Sequence, residues 1–135
     1  MREPPHHLYF DDRSAVSWQR DLQQAASLAL ADNKRLLIVV THPDCGGSRA
    51  LIERVFPKEE ITEELRSGFV CVAADSRTLP AEIASLLASA PKKEPTPVCL
   101  YALAEPSGVR LLFSTAGGRP PAVFIRDLTD AHARH

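Results

Sequence analysis

The stretch Val39-Val40-Thr41-His42-Pro43-Asp44-Cys45-Gly46-Gly47-Ser48 decides how this chain reads. It closes an apolar, β-branched run that begins at Leu36, the pattern of a strand buried on both faces. Pro43 stops that strand because proline has no N–H to give a ladder. Asp44 is then placed to cap a helix that opens near Cys45. A cysteine at a helix N-terminus meets oriented backbone amides, which favour the thiolate over the thiol. At an exposed site the effect is about 0.3–1 kcal/mol. Arg49, one turn along, adds to it, and Asp44 opposes it unless its carboxylate turns to the cap. His42, three residues back, is a candidate donor to the sulfur or acceptor of its proton; the plainer reading is an ordinary loop histidine. Taken together these groups predict a Cys45 pKa modestly below the usual ~8.5 of a free thiol.

Upstream, residues 16–31 read as a helix, with Trp18, Leu22, Ala25 and Ala29 forming one apolar stripe at helical spacing. Ser14 or Ser17 is the expected cap and Asn33 the expected stop. Downstream, Leu51, Ile52, Val55 and Phe56 give the cysteine helix its buried face, and Pro57 ends it. A short helix with Ile61 and Leu65 inward follows and stops at Gly68. Residues 69–74 form a second apolar strand, and a helix opening at Pro80 turns Ile83, Leu86, Leu87 and Ala90 to one side. A proline- and lysine-rich loop, 91–97, leads into a third strand at 98–103. Glu105-Pro106-Ser107-Gly108 is a tight turn with proline at its second position, so a fourth strand at 109–114 makes a hairpin. After Gly117-Gly118, a terminal helix from Pro121 presents Phe124, Leu128 and Ala131. Helical crossovers suit parallel pairing and the hairpin forces an antiparallel pair, so the expected architecture is α/β with a four-stranded mixed sheet.

The chain has 135 residues, a single-domain length that can enclose one proper core. Residues 1–12 read as a flexible polar tail and 13–135 as the domain. The net charge is −1 and no basic stripe is present, which argues against nucleic acid and anionic membranes as partners. The longest apolar stretch is far too short to span a bilayer, and the N-terminus lacks the apolar core of a signal peptide. The expected location is therefore the cytoplasm. Three cysteines, Cys45, Cys71 and Cys99, form neither a disulfide framework nor a zinc pattern. No metal and no cofactor are expected. Cys71 and Cys99 sit inside apolar strands, where cysteine behaves as a small hydrophobe. Cys99 lies two residues past Pro97 and so near the candidate site.

The order of elements, a cysteine at the first strand-to-helix turn and Thr96-Pro97 before the third strand together resemble the thioredoxin fold across nearly the whole chain. The detail is similar to a thioredoxin-like subgroup with a tryptophan-led first helix. In that subgroup Phe56, Ile61, Leu65, Phe69-Val70 and Asp75 all have counterparts. The resemblance implies a thioredoxin-like fold with an extra N-terminal helix. It also implies a nucleophilic Cys45, a cis Thr96-Pro97 bond, and a peptide groove shaped by Thr96 and Pro97. Backbone exposed at that turn pairs with an extended client, and Gly46-Gly47 allows a partner close approach.

The chain departs from this family where chemistry is concerned. Ser48 stands where a resolving cysteine belongs, so a C-x-x-S motif replaces C-x-x-C and a mixed disulfide cannot be released by internal attack. Val39 stands where a buried acid would accept the proton. Two readings of Cys45 follow. In one, it is a monothiol that forms mixed disulfides with a protein client or a glutathione-type thiol, with Ser48 hydrogen-bonding the sulfur. In the other, it is a relic on a redox-inert binding module. Ser48 has no His-Asp pair at a recognisable spacing and does not read as a hydrolase nucleophile. No glutathione-contact motif supports a transferase or iron–sulfur role.

Overall fold

The computed structural model describes residues 18–42, 54–56, 58–88, 98–116 and 120–133. The order is β1 (Trp18–Gln19), α1 (Leu22–Asp32), β2 (Arg35–Thr41), α2 (Glu59–Gly68), β3 (Phe69–Asp75), α3 (Ala81–Ala88), β4 (Val98–Glu105), β5 (Gly108–Ala116) and α4 (Pro121–Ala133). The sheet runs β1-β3-β2-β4-β5. β2 pairs parallel to β3 and antiparallel to β4, and β4 pairs antiparallel to β5. This is the expected mixed sheet, with five strands rather than four.

The fifth strand is the very start of the expected first helix. Trp18 and Gln19 pair parallel to Cys71 and Val72. The helix begins at Leu22 because Asp21, not Ser14 or Ser17, caps it. Its carboxylate accepts from the backbone N–H of Gln23 at 2.9 Å and Gln24 at 3.4 Å, satisfying donors that a helix start leaves orphaned. Leu22, Ala25 and Ala29 are buried as expected, whereas Trp18 packs on the other side of the sheet, 5.2 Å from the Phe56 ring. α1 is thus a crossover between two strands of one sheet and not an appended helix. Asn33 ends it in the left-handed conformation (φ 56°), its N–H reaching Ala29 O and Leu30 O.

β2 is the centre. Leu36, Leu37, Ile38, Val39 and Val40 are all fully buried. Strand side chains alternate between faces, so Leu37 and Val39 join Ile61, Leu65, Phe124 and Leu128 on the α2/α4 side. Leu36, Ile38 and Val40 join Leu22, Ala25, Ala29 and Ile83 on the α1/α3 side. Two basic residues tie the lower ends of the helices to the start of β2. Lys34 Nζ donates to Arg66 O and Arg35 Nε to Ala131 O, each at 2.9 Å. Those carbonyls belong to the last turns of α2 and α4, where a cation also meets the negative helix end.

The later strands and helices follow expectation. β4 and β5 join through Pro106-Ser107, with Glu105 opposite Gly108; Gly108 has φ +145°, which disfavours a side chain. Phe124, Leu128 and Ala131 are fully buried on α4. α3 buries Ile83, with Leu86 and Leu87 partly covered. The expected cysteine helix lies largely outside the described residues, as do Ala90 and residues 1–17. Among the described residues no helix is long and apolar enough to cross a membrane.

α2 and α4 meet where the His132 ring covers Gly68 and packs edge-on against Phe69 at 4.9 Å. A Cβ on Gly68 would overlap that ring. Gly68→Ala is expected to lower stability by about 1–3 kcal/mol, the usual range for overpacking, in urea unfolding. In a His132→Ala background the same step is expected to cost well under that. Equal costs in the two backgrounds would show that the ring is not wedged against the glycine.

Candidate functional site

The end of β2 and the start of β4 lie side by side at one end of the sheet. β2 ends at the fully buried Thr41, and the half-buried His42 follows directly. Val40 pairs with Val98, the first residue of β4. The segment after His42 and the segment before Val98 therefore leave neighbouring strands at the same end. Cys45, Gly46, Gly47 and Ser48 belong to the first segment and Thr96 and Pro97 to the second. All six lie outside the described residues, so the structure describes His42 alone of the predicted site residues. The expected cis Thr96-Pro97 bond lies outside them too.

The third strand end at this site is β3. Asp75 pairs with Thr41, and the Ser76 N–H donates to Thr41 O at 2.9 Å. Asp75 folds the exit loop back on itself. Its Oδ1 accepts from the Arg77 backbone N–H at 2.9 Å and from Arg77 Nε at 2.9 Å, while Oδ2 takes the other arm of the guanidinium. The carboxylate is only 14% exposed, and a two-armed Arg–carboxylate pair is geometrically specific. Sequence reasoning named Asp75 but missed Arg77. The signal was there: an aspartate closing a strand, two residues before an arginine, can accept from the backbone two residues on.

Two observations bear on proton and thiol chemistry. Val39 is fully buried and pairs with Ala73 on one side and Cys99 on the other, so this position is apolar. Cys71 and Cys99 are buried thiols, 2% and 1% exposed, as their strand positions predict. Burial pushes the Cys71 thiol well above its ordinary value of 9.0, with the Lys34 charge pulling the other way and Cys99 adding to the rise. Among the described residues no cluster of three or more His, Cys, Asp or Glu side chains is placed to hold a metal ion.

A family described as thioredoxin-like matches residues 17–103, a span that includes both Cys45 and Thr96-Pro97. The chain belongs to the thioredoxin-like family. Solved structures with this fold are similar at low identity. A thioredoxin from Thermus thermophilus has a TM-score of 0.72 and 17% identity, over 87% of this chain and 88% of that one. A poplar thioredoxin h mutant has a TM-score of 0.65 and 19% identity, over 98% and 92%. The DsbD C-terminal domain of Neisseria meningitidis in its oxidised form has a TM-score of 0.64 and 14% identity, over 85% and 99%. No curated protein matches the chain.

The raised Cys71 value has a direct consequence. The folded state keeps this proton at a pH where the unfolded chain loses it. Stability is therefore insensitive to Cys71 below about pH 9 and falls as pH rises above it. Urea midpoints are expected to drop more steeply between about pH 8 and about pH 10.5 in the native sequence than in Cys71→Ala. Native-state iodoacetamide treatment near neutral pH is expected to leave Cys71 and Cys99 unmodified by mass spectrometry, and denaturant to expose both. Ready labelling of either in the native state would contradict their burial.

Proposed function

We propose that this is a monothiol thioredoxin-like protein that forms mixed disulfides through Cys45 with a protein client or a glutathione-type thiol. The observation that carries this reading is the pairing of Val40 with Val98, because the chain segments bearing Cys45 and Thr96-Pro97 depart from those adjacent strand ends. The Cys45 thiolate attacks one sulfur of a disulfide R–S–S–R′. The S–S bond breaks, Cys45–S–S–R forms, and R′–S⁻ leaves and takes a proton from water. Ser48 holds the sulfur by a hydrogen bond but cannot resolve the intermediate. An external thiol then attacks the R sulfur, restoring Cys45, and the exchange is complete without any net change in the protein. Gly46 and Gly47 admit the client backbone, Thr96 and Pro97 shape its groove, and His42 assists proton transfer at the sulfur. The reaction asks for no metal or cofactor, and the cytoplasm supplies the external thiol.

A second reading is favoured by the buried Val39: with no acid there, the fold serves as a redox-inert module that binds a protein through the same groove. Incubation with oxidised glutathione or a disulfide peptide separates the two. The monothiol reading expects one adduct, on Cys45, by intact-mass and peptide mass spectrometry. It expects loss of the adduct in Cys45→Ala and turnover that rises with added thiol. Absence of a Cys45 adduct, with partner binding kept by Cys45→Ala, would overturn it in favour of the binding module.

A further inference from the structure

On the face of the sheet that carries α1 and α3, away from Cys71 and Cys99, an open groove of about 690 Å³ runs between the two helices to the β4–β5 turn. Leu22, Ala26 and Leu30, spaced by four residues, form one wall, and Leu86 and Val109 complete its apolar lining. Leu30 is 45% exposed, one of two large hydrophobic side chains left so open among the described residues. From Leu22 to Leu30 the wall is about 12 Å long, matching two turns of a helix. Its charge is one-sided. Glu82 and Glu105 line the groove, and among the described residues no lysine, arginine or histidine does. Arg110 reaches Glu105 from outside at 3.2 Å in an exposed pair, which is worth little. Glu82 has no ion-pair partner among the described residues.

We propose that this groove docks an amphipathic basic helix of a partner protein, with apolar residues at i and i+4 against the leucine wall and a lysine or arginine opposite Glu82. The charges decide among occupants. Two carboxylates, only one of them held in a weak exposed ion pair, disfavour anionic lipid and nucleic acid. A second copy seated through the same groove would set like charges against each other. Leu22, Ala26 and Leu30 repeat at helical spacing along the groove, which suits the helix-in-groove mode. The surface is independent of the thiol chemistry proposed for Cys45.

The test is amide NMR on the full chain, titrated with a blocked lysine–leucine peptide of about four helical turns whose leucines repeat at helical spacing. A glutamate-for-lysine peptide is the control. Saturable shifts are expected at the Ser27, Ser85 and Gly108 amides with the basic peptide alone. Glu82→Lys, on an exposed position that does not threaten the fold, is expected to weaken binding about tenfold, and Leu30→Ala to weaken it in low and high salt alike. No saturable shift, shifts centred elsewhere, equal binding of the acidic peptide or indifference to Glu82→Lys would each overturn the proposal. Peptide-free shifts at the same amides would also overturn it. If they arise on replacing Leu8, Tyr9 and Phe10 by serine, the chain fills its own groove. If they arise with rising protein concentration, a second copy does.

Discussion

The burial of β2 on both faces is the constraint from which the rest of the molecule follows. A strand with no wet side needs hydrogen-bonding neighbours on both edges and helices on both faces. β3 and β4 supply the edges, α2 and α4 one cover, α1 and α3 the other. Each fully buried Leu, Ile or Val of the strand is worth about 1.5–3 kcal/mol, so the register is strongly held; a one-residue slip would exchange the two cores. Lys34 and Arg35 then fasten the start of the strand to the ends of α2 and α4. The far end is where the constraint is released. Thr41 is the last fully buried residue, His42 is half-buried, and the chain goes on to the candidate thiol.

Most of this architecture was legible because the apolar pattern changes period cleanly. The unbroken run 36–40 could only be a central strand, and the steps Ile61–Leu65 and Phe124–Leu128–Ala131 could only be helix faces packed on it. Trp18 was misread for a physical reason. It stands four residues before Leu22, as a helix stripe would place it, yet it packs beside Phe56 on the opposite side of the sheet from Leu22. A two-residue strand has no periodicity to detect, and only the capping chemistry of Asp21 marks where the helix begins. Of the site, the sequence offers a cysteine after a strand and a Thr-Pro before another, and both lie outside the described residues. The Asp75–Arg77 clasp was harder, because its partners are fixed by a loop conformation and not by a repeat.

Membership of the thioredoxin-like family places the chain in a fold that can host thiol exchange, but the fold alone does not confer it. In the proposed monothiol reading Ser48 takes the place of a resolving thiol, and Val39 is buried among apolar neighbours. The other two thiols are held out of the reaction by burial, Cys71 by a raised pKa as well. The proposed role of Cys45 rests on electrostatic activation by the expected helix start, Arg49 and His42, against the opposing charge of Asp44. These effects are each small and of mixed sign, so the reactivity of Cys45 is the point on which the functional account turns.

The most direct measurement is the pH dependence of the Cys45 alkylation rate, resolved by peptide mass spectrometry so that Cys71 and Cys99 are counted separately. The account predicts a rate that rises to a plateau with a midpoint below about 8.5. A midpoint at or above that value, with a rate no faster than a free thiol, would contradict it.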